Sequence, residues 1–291
     1  MKGYHIPQLV QRYVEHDMIQ AHTELPALAN ARAAMLFAFL QRNRANTHIS
    51  ELACVVTSLV QLGLDTHDWV EMAADKDDRN MRSRQLKVLA GDYFSSRFYH
   101  LLAQAGQVDA IRSLSRAVCE VNRMKMTMVE KMRQWKITAE GYLQDCINLK
   151  QCLFHAFDER LLAQDISFWE TLLYRLSEVE VMEQEQVRAH DYDAFEGSWS
   201  FWHIMNSADA DERHMLMNRS FDQISWMQLM DKYDCKQQLS NLVHKAQLKY
   251  EQAIALCSPD LLVDLGYVSS DAPYVSNPTT MPSFSSAPQH G

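Results

Sequence analysis

Between Leu64 and Met72 the chain reads Leu-Asp-Thr-His-Asp-Trp-Val-Glu-Met, which places Asp65 and Asp68 three residues apart on one helical face. Two carboxylates so placed, with Asp75 further along, form a weak site for Mg²⁺, an ion that takes oxygen ligands and relies on one or two protein carboxylates beside substrate phosphates. The chemistry such an ion serves is the stabilisation of negative charge that develops on oxygen. Trp69 and Met72 supply no ligand, so the ordinary alternative, a solvated acidic face, stands beside the metal reading. Asp68 is the candidate ligand, and no residue of the chain is assigned a catalytic role.

A second group follows a short polar stretch. Arg79, Arg82, Arg84 and Gln85 precede Leu86-Lys87-Val88-Leu89-Ala90-Gly91-Asp92-Tyr93-Phe94-Ser95. Arginine forks suit diphosphate, although this spacing, without adjacent arginines, favours a structural or partner contact. Gly91 admits either a tight approach of two helices or a helix start, and Asp92 suits the first turn of a helix as a cap or anion. His67-Asp68 admits a different chemistry. With His48 upstream and Asp145 downstream it imitates the ligand order of helical metal-dependent phosphohydrolases, whose site retains a transition metal through imidazole.

Taken together, the two stretches resemble the first half of a trans-prenyl diphosphate synthase, with most of the required carboxylates missing. In catalytic members an apolar helix ends in an aspartate-rich D-D-x-x-D box, a basic loop follows, and the next helix opens near G-D-Y. Of the box, Asp68 alone survives, since Trp69 and Met72 replace its second and last aspartates. The order Leu64-Asp65-Thr66-His67-Asp68, then Arg84-Gln85-Leu86 and Val88-Leu89-Ala90-Gly91-Asp92-Tyr93-Phe94-Ser95, is similar to the small subunit, component I, of bacterial heteromeric heptaprenyl diphosphate synthases. Ile111, Arg112 and Leu114, then Glu120, Asn122 and Lys125, look like the same family. The likeness covers about the first half of the chain.

The resemblance implies an all-α, single-domain bundle of the isoprenoid synthase type and a non-catalytic regulatory or assembly subunit. It further implies a catalytic large subunit, component II, that carries Mg²⁺ and elongates farnesyl diphosphate with isopentenyl diphosphate toward the side chain of menaquinone. No cofactor is expected on this chain alone, which is expected to be inactive when isolated; whether it pairs as a homodimer without its partner is left open by these residues. The catalytic family also needs a second aspartate box on a helix facing the first. The later chain offers only Asp191, Asp193 and Glu196, or Asp231 with Asp234. A self-sufficient prenyltransferase with unusual ligands, the phosphohydrolase, and a helical interaction protein unrelated to prenyl synthesis remain the alternatives. Whether the product is hexaprenyl or heptaprenyl is not written in these residues.

The elements that must position these groups follow from proline placement and periodicity. No proline lies between Ala27 and Ser258, and a proline in a helix interior costs about 3 kcal/mol, so this span predicts a helical body. Apolar positions step by three or four from Val108 through Leu114, Val121, Met128 and Met132 to Trp135. Similar stripes run from Leu161 to Met182 and from Leu239 to Cys257. Eight or more helices and essentially no sheet are expected. Gly63, Gly91, Gly106, Gly141 and Gly197 are expected to punctuate them. Trp199, Phe201 and Trp202 suit a core or an interface.

Pro259 suits the opening of a short helix through Leu261, Leu262 and Leu265, and residues 1–268 are expected to form the domain. Residues 269–291, rich in Ser and Pro, read as a disordered tail. A net charge of -9 argues against nucleic acid, despite the local run Arg79 to Lys87. No signal peptide and no apolar run of 18 residues is evident, and the six cysteines form no Cys-x-x-Cys pair, which together predict a cytoplasmic protein with reduced thiols and no membrane span. Sixteen methionines fit an adaptable apolar interface or an ordinary core.

Overall fold

The computed structural model of the chain describes residues 5–15, 19, 24–43, 47–69, 78–262 and 265. Among them every regular element is helical: α1 (Ile6–Val14), α2 (Asn30–Arg42), α3 (Thr47–Asp68), α4 (Asp78–Gln104), α5 (Val108–Arg133), α6 (Ala139–Cys152), two short 3₁₀ turns (Phe154–Arg160 and Ala163–Asp165), α7 (Ile166–Arg188), α8 (Trp199–Ser207), α9 (Ala210–Met217), α10 (Gln223–Lys232) and α11 (Cys235–Ala255). The tail from residue 266 onward, Val70 to Asp77, and with them Glu71, Met72 and Asp75, lie outside the described residues.

The expected stripes became the tie-rods of one bundle. One buried cluster gathers α1 to α4 with Leu114 and Val121 of α5 and Trp169 to Leu176 of α7. A second gathers α6, α8, α10 and the first half of α11 with Met128 and Met132 of α5 and Val179 to Met182 of α7. Because α5, α7 and α11 contribute to both clusters, the halves cannot separate without breaking three long helices. Trp199, Phe201 and Trp202 are buried in the second cluster.

α3 is the axial helix of the first half. At 22 residues it is long and apolar enough to cross a membrane by composition, yet 67% of that stretch is buried inside the bundle. Two of its buried hydroxyls bond back to the helix, Thr57 donating to the Ala53 carbonyl at 2.8 Å and Thr66 to that of Leu62 at 2.6 Å. Local capping sets later helix starts: Thr138, Ser198 and Asp222 accept from Gly141, Phe201 and Ser225 amides, and Asp209 with Glu212 forms a reciprocal capping box. Ser258 caps the short helix that Pro259 opens.

Three sequence expectations need correction here. Gly106 and Gly197 do sit between helices with positive φ (66° and 72°), but Gly63, Gly91 and Gly141 lie inside helices. Arg82 and Arg84 stand on the opening turns of α4, as does the backbone of Arg79, rather than in a loop. Gly91-Asp92-Tyr93 falls in the middle of α4, so Asp92 is not a helix cap. The polar residues from Asp78 onward form helix because nothing in them breaks it, and the apolar neighbours on one face are enough to dock it.

Candidate functional site

The sequence-predicted residues meet where α3 and α4 cross. Gly63 and Gly91 lie on the facing sides. A Cβ built on Gly63 would come within 2.4 Å of Ser95 Oγ and 2.9 Å of the Gly91 carbonyl oxygen, and one on Gly91 would come within 2.7 Å of His67 Nε2. At Gly63 only hydrogen allows this separation of the backbones, whereas a side chain at Gly91 would have to displace the His67 imidazole. The imidazole of His67 therefore occupies the space over Gly91, and its Nε2 lies 3.3 Å from Asp92 Oδ1. The spacing of glycine, histidine and aspartate across the two motifs is thus a packing code for one helix crossing.

Tyr93 faces away from that seam. Arg97 donates to its hydroxyl at 2.9 Å and lies over its ring, 4.8 Å from the centroid, and also over Tyr13 of α1 at 5.9 Å. This arrangement ties α1 to α4. Arg84 is half-buried and Gln85 exposed, near the N-terminal end of α4.

The carboxylates point into the bundle and meet cations of the same chain. Lys125 of α5 donates to Asp68 Oδ2 at 2.5 Å, with both side chains 18% exposed. Asp65 accepts from Gln61 Nε2 at 2.7 Å. Burial pushes the Asp65 and Asp68 carboxyls above the usual aspartate value, and Lys125 pulls both back only in part. Deeper in, Arg32 Nε of α2 lies 2.8 Å from Glu180 Oε2 of α7, close but without the alignment of a hydrogen bond, while its guanidinium donates to the Lys150 carbonyl of α6. Burial pushes the Lys150 ammonium below its ordinary value, with Glu180 and Asp65 opposing. Three carboxylates and three cations from five helices therefore compensate one another.

Neither the Arg32–Glu180 pair nor Lys150 was evident from sequence, because the three charges lie in three separate helices. Glu180 is the carboxylate α7 turns toward this interior. The residues considered for a second box lie elsewhere: Asp191 and Asp193 bond locally in the α7–α8 loop, Glu196 pairs with Arg219, and Asp234 starts α11.

These residues do not fit Mg²⁺. Asp68 is taken by an ammonium, and among the described residues no three His, Cys, Asp or Glu side chains group as a metal site. The phosphohydrolase order fails on distance. His48 and His67 stand near opposite ends of α3, about 28 Å apart at the rise of a helix, so they cannot share an ion. Asp145 is paired with Lys131 at 2.7 Å, on the wall of a groove of about 490 Å³ between α5 and α6.

A second buried network, in the other half, is structural. Glu185 accepts from Tyr142 Oη at 2.9 Å, from Arg188 at 2.9 Å and from the Trp199 amide at 2.6 Å, which joins α6, α7 and the start of α8.

Comparison with known proteins places the chain in a family. Residues 16–233 match the family described as heptaprenyl diphosphate synthase (HEPPP synthase) subunit 1. Heptaprenyl diphosphate synthase component 1 of Geobacillus stearothermophilus is 42% identical over 82 residues, which is 28% of this chain and 36% of that protein, so the matched stretch spans about a third of the relative. The fold is similar to geranylgeranyl pyrophosphate synthase of Lactobacillus brevis, with TM-score 0.69, 12% identity, and 90% and 92% of the two chains covered. It is also similar to heptaprenyl diphosphate synthase of Staphylococcus aureus, with TM-score 0.64, 11% identity, and 90% and 94% covered. With a match over three quarters of its length, the chain belongs to the heptaprenyl diphosphate synthase subunit 1 family.

Proposed function

We propose that this chain is the non-catalytic subunit of a two-component heptaprenyl diphosphate synthase in the cytoplasm. A separate catalytic subunit supplies both aspartate boxes and Mg²⁺, and elongates farnesyl diphosphate with isopentenyl diphosphate toward a menaquinone side chain. One observation carries the reading: the surviving box carboxylate, Asp68, is held by Lys125, so a protein cation stands where a metal would be recruited. Trp69, which replaces the second aspartate of the box, offers only its carbonyl, and that accepts from Lys87 at 3.4 Å. The chain contributes shape. It presents helices of the synthase fold to a partner whose own chemistry depends on a correctly closed cavity.

The test is an assay of Mg²⁺-dependent incorporation of isopentenyl diphosphate by this chain, by the catalytic subunit, and by their mixture. The reading requires product from the mixture well above either component. Robust activity from this chain alone overturns the non-catalytic assignment, and a mixture no more active than the catalytic subunit overturns the heteromer.

A further inference from the structure

The groove between α5 and α6, about 490 Å³, has the size of a ligand pocket, and its charges come in opposite pairs. Arg123 grips Glu120 with two bonds, at 2.8 and 2.5 Å, and Lys131 reaches across to Asp145 of α6 at 2.7 Å. Arg123 and Lys131 are two helical turns apart, about 12 Å. Both cations are exposed to solvent, so either pair exchanges its partner at little cost.

One wall of the groove holds an oriented imidazole. The two helices run antiparallel, Lys131 meeting Asp145 and the Ala117 carbonyl meeting Cys152, so His155, one turn past Cys152, stands at the Glu120 end. Its Nδ1 lies 2.9 Å from Asp158 Oδ2, and Asp158 Oδ1 accepts at 2.8 Å from the indole of Trp169, which is fully buried. A carboxylate only accepts, so Nδ1 carries the proton and the neutral ring offers Nε2 as an acceptor. A ring held by a carboxylate that is itself anchored in the core is aimed, and the bundle gains no contact from that aim. Along the same wall Asn148 Oδ1 is taken by Gln144 and Gln151, which leaves Asn148 Nδ2 as a donor and Gln151 Oε1 as an acceptor.

We propose that this groove binds a short dipolar peptide, its ammonium against Glu120 and His155 Nε2 and its carboxylate against Lys131. Length sets the class: an extended tripeptide spans about 10 Å between its charged ends, close to the separation of the two ion pairs. Its peptide units carry the donors and acceptors that Asn148 and Gln151 complement. Other occupants fit worse. Two carboxylates against two cations disfavour a diphosphate, no aromatic ring but the imidazole lines the groove to stack a nucleobase, and Met124 and Cys152 are too little apolar lining for a prenyl chain. The site is independent of the heteromeric reading, since this chain carries every residue of it.

The test is calorimetric titration of the full chain with trialanine. Saturable binding is expected, at least tenfold weaker for N-acetyl-trialanine and for trialanine amide, each of which lacks one charged end. Glu120→Gln and Lys131→Met should each weaken it at least fivefold, and Ile224→Lys, exposed on α10, should leave it unchanged. Circular dichroism checks that each variant folds. The unmodified protein gives a second readout: the indole N–H resonance of Trp169, assigned with Trp169→Phe, should shift on titration because Asp158 links that indole to His155. Absence of both heat and Trp169 shift at millimolar trialanine overturns the site. Blocked peptides that bind as well as trialanine overturn it too, as does inorganic diphosphate binding more tightly than trialanine.

Discussion

Lys125 Nζ of α5 sits 2.5 Å from Asp68 Oδ2 at the end of α3, and this contact joins two helices 57 residues apart in the chain. Both side chains are largely enclosed, so removing either leaves the other charged in a poor solvent. Lys125→Met is expected to cost about 2 kcal/mol, between the values for exposed and fully buried pairs. Asp68→Asn combined with Lys125→Met should cost less than the sum of the single changes. Urea denaturation checks both, and additive effects would show that the pair does not act as a unit.

The helix crossing predicts an asymmetry between two glycines. A methyl at Gly63 meets backbone atoms of Gly91 and Ser95, so the helices must part, whereas a methyl at Gly91 meets the imidazole of His67, which can rotate away. Gly63→Ala should destabilise by about 2 kcal/mol despite its better helix propensity. Gly91→Ala should cost less, and Gly91→Ala with His67→Ala should recover the loss. Equal costs at the two positions in thermal melts would contradict the seam.

Asp65 gives a pH signature. Burial raises its folded pKa, so between the ordinary aspartate value and the raised one the folded state binds more protons than the unfolded chain. Stability from this group is therefore present at low pH and is lost as pH rises through that window. Asp65→Asn does not titrate and can still accept from Gln61, so the variant should be the more stable protein at pH 7, with an advantage that shrinks toward pH 4. Denaturation midpoints across that range test it, and a less stable variant at pH 7 would contradict the sign.

Glu185→Ala removes the acceptor shared by Tyr142, Arg188 and the Trp199 amide. The Arg188 guanidinium would then be buried without a carboxylate. A loss of about 3 kcal/mol or more is expected, with α8 loosened first, as hydrogen exchange of the amides from Trp199 onward would report. Protection unchanged there would assign the network no part in seating α8.

Much of the fold is legible in the chain because long amphipathic helices declare themselves: the stripes through Leu114, Leu176 and Leu239 depend only on local spacing. The interior of the site does not declare itself. Arg32, Lys150 and Glu180 lie in three separate helices, and only tertiary packing makes them partners. The glycines misled for a related reason. Gly63 and Gly91 resemble breaks in one dimension, whereas the contact that requires them lies on another helix. The motif at Leu64 to Asp68 was readable as an incomplete metal box, but the cation that pairs with Asp68 comes from α5, 57 residues away in the chain.

The most direct test of the account is the activity of the assembled synthase when its small subunit carries Asp68→Asn. With saturating amounts of folded variant, Mg²⁺-dependent incorporation of isopentenyl diphosphate by the mixture should stay within about threefold of the wild-type mixture, because Asp68 only pairs with Lys125. A fall of about 100-fold or more with the complex intact would make Asp68 a metal ligand in the working enzyme and contradict the non-catalytic assignment.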